Sequence, residues 1–360
     1  MNGGGGMAAL KRAYLGCLLG LAAGDAMGAP VDKKTWREIR ADYGPGGLMG
    51  YDLTAGGPAV TSNTQLCAFT ANGLLLGQTQ ERLKGRTVPY ARYIALSQKE
   101  WASAQRRWST LRRTYCWVYW AEEFRSRRCA DSRMMDTLAL ERIGSPAEPI
   151  NRLDGPGSLT SAVAAGLFAP GGASVLGAET VALTYGKPTA FITGAITADL
   201  IGKLLRNNEL PLMRQLEMTL KEADARFRET WPQTIDVIRT VIRAVELARS
   251  GCGRQIAMEE LLCGSAAQVL AGAVYALLTC GDDFDAAMIT AVNHSGRSSA
   301  VAALTGAFLG AKLGVDGIPD FYLDGLEGAA VLRELAEDLY TGCPAHMDLE
   351  WDRKYLQGER

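Results

Sequence analysis

With 360 residues, 48% of them hydrophobic and 21% charged, the chain holds enough apolar material for one large domain or two ordinary ones, in globular proportions. A formal net charge of −1 excludes the overall basic field of a general nucleic-acid or anionic-membrane binder. Eight cysteines (Cys17, Cys67, Cys116, Cys129, Cys252, Cys263, Cys280 and Cys343) include no CxxC pair and no histidine at zinc spacing, which predicts buried, reduced thiols and a cytoplasmic protein.

The opening "MNGGGG" predicts a flexible leader over residues 1–6. Apolar residues at helical spacing follow over 10–24. Lys11 and Arg12 ahead of that run imitate a signal peptide, but the run is interrupted by glycine and flows on through Asp25. No segment reaches 18 unbroken apolar residues, so no membrane span is expected. Residues 35–43 predict a short helix ended by Gly44-Pro45, and 46–58 a glycine-rich loop. A buried helix is expected over about 64–77, one or two polar, Trp-rich helices over 89–129, and mostly loop over 130–161. Further helices are expected near 174–185, 188–206, 210–226, 231–250, 256–261, 264–279, 284–293, 297–313 and 326–340. No alternating strand pattern and no fixed repeat occurs. The expectation is therefore a single all-α domain over 7–345, followed by a tail over 346–360.

Three polar knots interrupt this apolar sequence. "GDAMGAP" places Asp25 at the end of an apolar helix among small residues. "TSNTQ" sets Thr61, Ser62, Asn63, Thr64 and Gln65 at the head of another, where small oxygen-bearing side chains serve as caps or hold a ligand. "NHSGRSS" sets Gly296, Arg297, Ser298 and Ser299 ahead of a small-residue helix, a natural place for an anion.

Together these knots resemble the ADP-ribosylglycohydrolase family, over nearly the whole chain. "GCLLGLAAGDAMGAPVD" is similar to its opening helix and Gly-Asp turn, "TQLCAFTANGLLLG" to the helix after its first metal motif, and "AVNHSGRSSAVAALTGAFLGAKLGVDGIP" to its last metal motif. The resemblance implies a compact orthogonal helical bundle with a central pair of Mg²⁺ ions that cleaves the glycosidic bond of ADP-ribose. In active members a Thr-Asp-Asp run and an Asp-x-Asp-Ser/Thr run hold the metals.

This chain departs from both runs. Thr61 matches, but Ser62 and Asn63 stand where the aspartates belong. Arg297 and Ser299 replace the second pair, and Ala300 replaces the hydroxyl residue. The family's Cys-Gly-Gly and Met-Arg layout becomes Pro156-Gly157-Ser158 and Thr160-Ser161, and Tyr185 or Lys187 stands for its helix histidine. Mg²⁺ needs anionic oxygen ligands to offset its dehydration, and a guanidinium beside the site opposes it. No metal site is therefore expected, and Asp25 is the one remnant candidate for catalysis.

Three functional readings are open. The leading one is a metal-free pseudoenzyme that binds an ADP-ribose-like or phosphate ligand, or a protein partner, through Asp25, Thr61, Ser62, Asn63, Gly296, Arg297, Ser298 and Ser299. The second is a divergent, glycosidase-type hydrolase acting through Asp25 or Asp154, with Mg²⁺ as cofactor. The third is a purely structural protein. The residue types slightly favour a pocket closed into a hydrogen-bonded polar core, with the hydroxyls satisfying Arg297. Arg106, Arg107, Arg112, Arg113, Arg125, Arg127 and Arg128 alternate with Trp101, Trp108, Trp117 and Trp120. That mixture suits nucleic acid, but a surface helix with an aromatic stripe facing the bundle is the expectation. His294 is expected to be structural, and His346 carries no signal.

Overall fold

A computed structural model describes residues 3–106, 114–128, 130–169, 171–206 and 210–359. Among them there are 18 α-helices and no strand. In chain order the first nine are α1 (Gly3–Gly28), α2 (Trp36–Tyr43), α3 (Ser62–Lys84), α4 (Tyr90–Ala104), α5 (Glu122–Arg125), α6 (Ser132–Leu138), α7 (Ser161–Phe168), α8 (Ala173–Ala182) and α9 (Pro188–Arg206). Then come α10 (Leu212–Phe227), α11 (Thr234–Ser250), α12 (Arg254–Glu260), α13 (Ala266–Cys280), α14 (Phe284–Val292), α15 (Ser298–Leu313), α16 (Asp320–Leu323), α17 (Ala329–Thr341) and α18 (Leu349–Gln357). The all-α expectation holds.

The centre of the fold is the antiparallel pair α1 and α15. Gly16, Gly20, Gly24 and Gly28 recur every four residues on α1 and form a seam without side chains. A Cβ on Gly20 would overlap the Gly306 carbonyl, and one on Gly306 would overlap that of Gly20. Gly16 and Gly310 meet in the same way, and a Cβ on Gly28 would lie 2.5 Å from the Ser299 Cα. This close approach decides function, because it brings the end of α1 against the start of α15. By length and hydropathy residues 6–31 would suit a membrane span, yet 83% of their most apolar window is buried inside the fold.

Helix α3 lies beside this pair, buried without a break from Asn63 to Gly77. A helix buried on all sides is central, and its buried Thr70 and Thr79 hydroxyls are satisfied by donating to the Leu66 and Leu75 carbonyls one turn back. Amphipathic helices such as α10, α11 and α17 cover the periphery with one apolar face each.

Several expected boundaries shift. Helix α1 begins at Gly3, inside the stretch expected as a leader. The segment 346–360 carries α18, whose Asp348 N-cap accepts from Glu350 N and Trp351 N. Trp351 is buried and donates through Nε1 to Thr79 Oγ1 at 2.8 Å, so this segment docks on α3. The expected long helix over 89–129 is α4 alone, followed by the 3₁₀ turn Trp117–Trp120 and the single turn α5. Arg107, Trp108, Arg112, Arg113 and Cys129 lie outside the described residues. Trp101 and Trp117 are fully buried, and Trp101 Nε1 donates to Gln65 Oε1 at 3.1 Å. Of the expected aromatic stripe, Trp101 and Trp117 are core, whereas Trp120 is exposed in the 3₁₀ turn.

Candidate functional site

The three polar knots meet where the end of α1, the start of α3 and the start of α15 converge. Asp25 is fully buried there. Its carboxylate accepts from Thr61 N at 2.8 Å, Thr61 Oγ1 at 2.7 Å, Asn63 Nδ2 at 3.0 Å, Thr64 N at 3.2 Å and Thr64 Oγ1 at 2.6 Å. The Thr61 side chain in turn caps α3 by accepting from Asn63 N at 3.1 Å. The acid therefore ties α1 to the first turn of α3, whose dipole also favours a negative charge. Burial raises the Asp25 pKa, against the opposing pull of these hydrogen bonds.

A second carboxylate, Asp32, went unnoticed in the sequence although it closes the quoted segment "GDAMGAPVD". It accepts from Ser299 Oγ at 3.0 Å and Ser299 N at 3.3 Å. Asn63 Nδ2 reaches Ser299 Oγ at 3.2 Å, so one polar chain runs from Asp25 through Asn63 and Ser299 to Asp32. Arg297 Nε lies 3.4 Å from Asp32 Oδ2, close enough for charge pairing but not aligned as a hydrogen bond. The ion pair with Asp32, rather than the neighbouring hydroxyls, neutralises Arg297.

The pocket is open, contrary to the closed polar core that the residue types favoured. A cleft of about 430 Å³ is lined by Thr61, Ser62, Asn63, Arg297 and Ser299, with Asp32, Lys33, Arg127 and Arg128 around them. Of the other expected ligand-binding residues, Asp25 is sealed beneath α3. Ser298 is buried with its hydroxyl on the His294 carbonyl at 3.4 Å. Gly296 is outside the lining and gives its carbonyl to Lys33 N at 2.7 Å. Ala300 is buried in α15. Two adjoining cavities extend the cleft. One of about 550 Å³ shares Arg127 and Arg128 and adds Arg106. The other, of about 450 Å³, shares Lys33 and Arg297 and adds Arg133.

Arg127 and Arg128 were read as members of a surface helix, but they belong to a short arm after α5. Gln65, the last residue of "TSNTQ", holds that arm: its Nε2 donates to the carbonyls of Glu123 at 2.8 Å and Ser126 at 2.9 Å. Its Oε1 accepts from Trp101 Nε1 and Gln105 Nε2, each at 3.1 Å. Gln105 completes the hub by accepting from Arg128 N at 2.8 Å and, through its carbonyl, from Arg127 Nε at 3.2 Å. A fully satisfied buried amide network of this kind fixes geometry. It carries the first turn of α3 to the arginines across the cleft. Arg128 also pairs with Glu327, while its buried Nε, like that of Arg297, has no hydrogen-bond partner.

Backbone strain gathers at the same place. Among the described residues the non-glycine residues with positive φ are Lys33 (66°), Leu262 (60°) and Cys263 (44°). Lys33 is bonded to Gly296, and Arg297 N donates to the Cys263 carbonyl at 3.0 Å. All three outliers thus adjoin the turn that presents Arg297, and such strain persists only where surrounding structure enforces it.

The donor set does not suit Mg²⁺. The acceptor oxygens of Asp25 are taken up by five donors, and Asp32 faces a guanidinium. The motif positions themselves offer hydroxyls, an amide and Arg297. No group of three or more His, Cys, Asp or Glu among the described residues is placed to share a metal ion. Asp154 sits outside the cleft, with Lys187 Nζ at 3.0 Å and Thr189 Oγ1 at 2.8 Å. Tyr185, near the position of the family's helix histidine, donates to Asp131 Oδ2 at 3.1 Å, and burial raises its pKa. His294 is buried with its two ring nitrogens near the carbonyls of Ser295 and Ala291, and desolvation lowers its pKa. It is structural.

The sequence pattern of the ADP-ribosylglycohydrolase family matches residues 7–348. Among solved structures, a chain named as an ADP-ribosylglycohydrolase-related protein complex aligns with a TM-score of 0.61 at 22% identity, covering 93% of this chain and 99% of that one. At that identity the likeness speaks for the fold alone. No curated protein matches the sequence.

Proposed function

The chain belongs to the ADP-ribosylglycohydrolase family, and from that premise we propose that it is a metal-free pseudoenzyme that binds a phosphate-bearing, ADP-ribose-like ligand without hydrolysing it. The observation that carries this reading is the cationic lining of the open cleft: Lys33, Arg127, Arg128 and Arg297, with the buried Nε groups of Arg128 and Arg297 lacking a hydrogen-bond acceptor although each side chain is ion-paired. Buried donors without acceptors are costly unless a ligand completes them. Guanidinium groups suit phosphate oxygens, and they occupy the region where a metal-dependent relative needs carboxylates. Neither of the two carboxylates is free to serve as an acid/base pair for glycoside cleavage. The seven described cysteines are free, which suits a reducing compartment such as the cytoplasm.

ADP-ribose should bind the purified chain by titration calorimetry with an affinity that neither Mg²⁺ nor a chelator changes. Arg297→Ala should weaken it by tenfold or more, since a charge-assisted hydrogen bond contributes about 1.5–3 kcal/mol and Asp32 would be left uncompensated. Absence of binding, or Mg²⁺-dependent release of ADP-ribose from a modified protein, would overturn the reading.

Lys33 separates binding from stability. Lys33→Gly should keep folding stability within about 1 kcal/mol, because relief of the left-handed backbone offsets the added freedom of the unfolded chain. The same change should weaken ADP-ribose binding severalfold. Thermal melts beside titrations check both halves, and a large loss of stability with unchanged affinity would contradict them.

A further inference from the structure

We propose that the chain carries a second, independent site for a nucleoside monophosphate, in a groove between the C-terminal half of α3 and helix α4. The groove encloses about 490 Å³ and shares no lining residue with the cleft or its extensions. Its lining includes the cations Lys84, Arg92 and Lys99 and no carboxylate. In a chain of net charge −1, three cations around one groove with no carboxylate in its lining are a local excess of positive charge, which attracts an anion.

None of the three cations is neutralised from within. Among the described residues Lys84 Nζ donates only to the Tyr93 hydroxyl oxygen at 2.8 Å and lies over the face of that ring at 5.5 Å. Lys99 Nζ is held by two backbone carbonyls, Leu140 at 2.6 Å and Glu141 at 3.1 Å. Arg92 has no ion pair or side-chain hydrogen bond among the described residues. The adjacent carboxylate, Glu81, is engaged with the Tyr90 hydroxyl.

The two ends of the groove differ, and the difference names the ligand class. At one end Lys84, the last residue of α3, and Arg92, in the first turn of α4, bring two cations to the groove, which suits a dianionic phosphate. Lys99 lies seven residues further along α4, about 10 Å away at the α-helical rise. Towards the other end, Leu96 and the half-exposed ring of Tyr115, whose backbone N–H is held by Glu100 beside Lys99, offer an apolar wall and an aromatic face. A phosphate with a planar ring attached through a sugar would set the anion on Lys84 and Arg92 and the ring against Leu96 and Tyr115, and the volume is that of a small-ligand site. Inorganic phosphate would leave the apolar wall bare.

Calorimetric titration of the full chain with AMP tests the proposal, with adenosine and inorganic phosphate as the two part-ligands. Binding in the submillimolar range is expected, at least tenfold tighter than either part. Arg92→Ala, at an exposed position where folding is not at stake, should weaken it tenfold or more, and Tyr115→Ala about threefold. In the Arg297→Ala chain, where the cleft's own contribution is weakened, the Arg92-dependent binding should persist. The proposal fails if AMP does not bind at millimolar concentration, or if phosphate alone binds equally well. It fails too if Arg297→Ala abolishes AMP binding while Arg92→Ala does not, an outcome that would assign the nucleotide to the cleft and leave the cleft reading standing.

Discussion

Gly306→Val should leave little or no folded protein. Overpacking a core costs about 1–3 kcal/mol where neighbouring side chains can move aside. At Gly306 the obstacle is the backbone carbonyl of Gly20 on a helix that is itself buried, so there is no rotamer to change. Accommodation would require α1 and α15 to separate, which opens the seam along its length and leaves a cavity beside it. The loss should therefore exceed the upper end of that range, a large share of the about 5–15 kcal/mol that holds a domain folded. Gly50→Ala is the matched control: nothing lies within 4 Å of its added Cβ and its backbone is not left-handed. It should stay within about 0.5 kcal/mol of the parent. Yield of soluble protein and urea denaturation distinguish the two, and a well-folded Gly306→Val chain would show that the helix pair is not close-packed in solution.

The second large effect is expected at Asp25. Asp25→Ala removes the acceptor of five donors at once, three of them on Thr61 and Asn63 and two on Thr64. Some donors keep or find other partners, so the cost is less than the sum of five orphaned groups, about 3–5 kcal/mol. Asp25→Asn should cost less but should also change the pH dependence. Burial raises the folded-state pKa of Asp25, so between the unfolded value, about 3.9, and the raised folded value the native state holds a proton that the unfolded chain has lost. The contribution is full below the unfolded value and disappears as pH rises through the folded one. Stability of the parent relative to Asp25→Asn should fall with rising pH across that window. A difference that rises with pH would mean that the five hydrogen bonds outweigh desolvation.

Reading the chain alone found the helices well where they are long and apolar. It found all three polar knots because Asp25, "TSNTQ" and "NHSGRSS" stand as polar clusters at the ends of mainly apolar runs. It misjudged the site's state in two ways, both tertiary in origin. Asp32 carries no local signal, since nothing in the neighbouring sequence shows that Gly28 lets α1 close on Ser299 and bring Asp32 to Arg297. Arg127 and Arg128 looked like one face of a long helix. Only the Gln65–Gln105 hub, whose members are 40 residues apart, turns their segment across the cleft.

The sequence by itself determined the all-α architecture and the placing of three polar knots at helix ends, because composition and spacing are local properties, while the loss of the four motif carboxylates was legible only through the family resemblance. Tertiary structure decided whether the vacated pocket is filled or open, which acid neutralises Arg297 and which cations surround the cleft. Those depend on how closely helices approach and where a buried amide anchors a distant turn, and neither distance is encoded by neighbours along the chain.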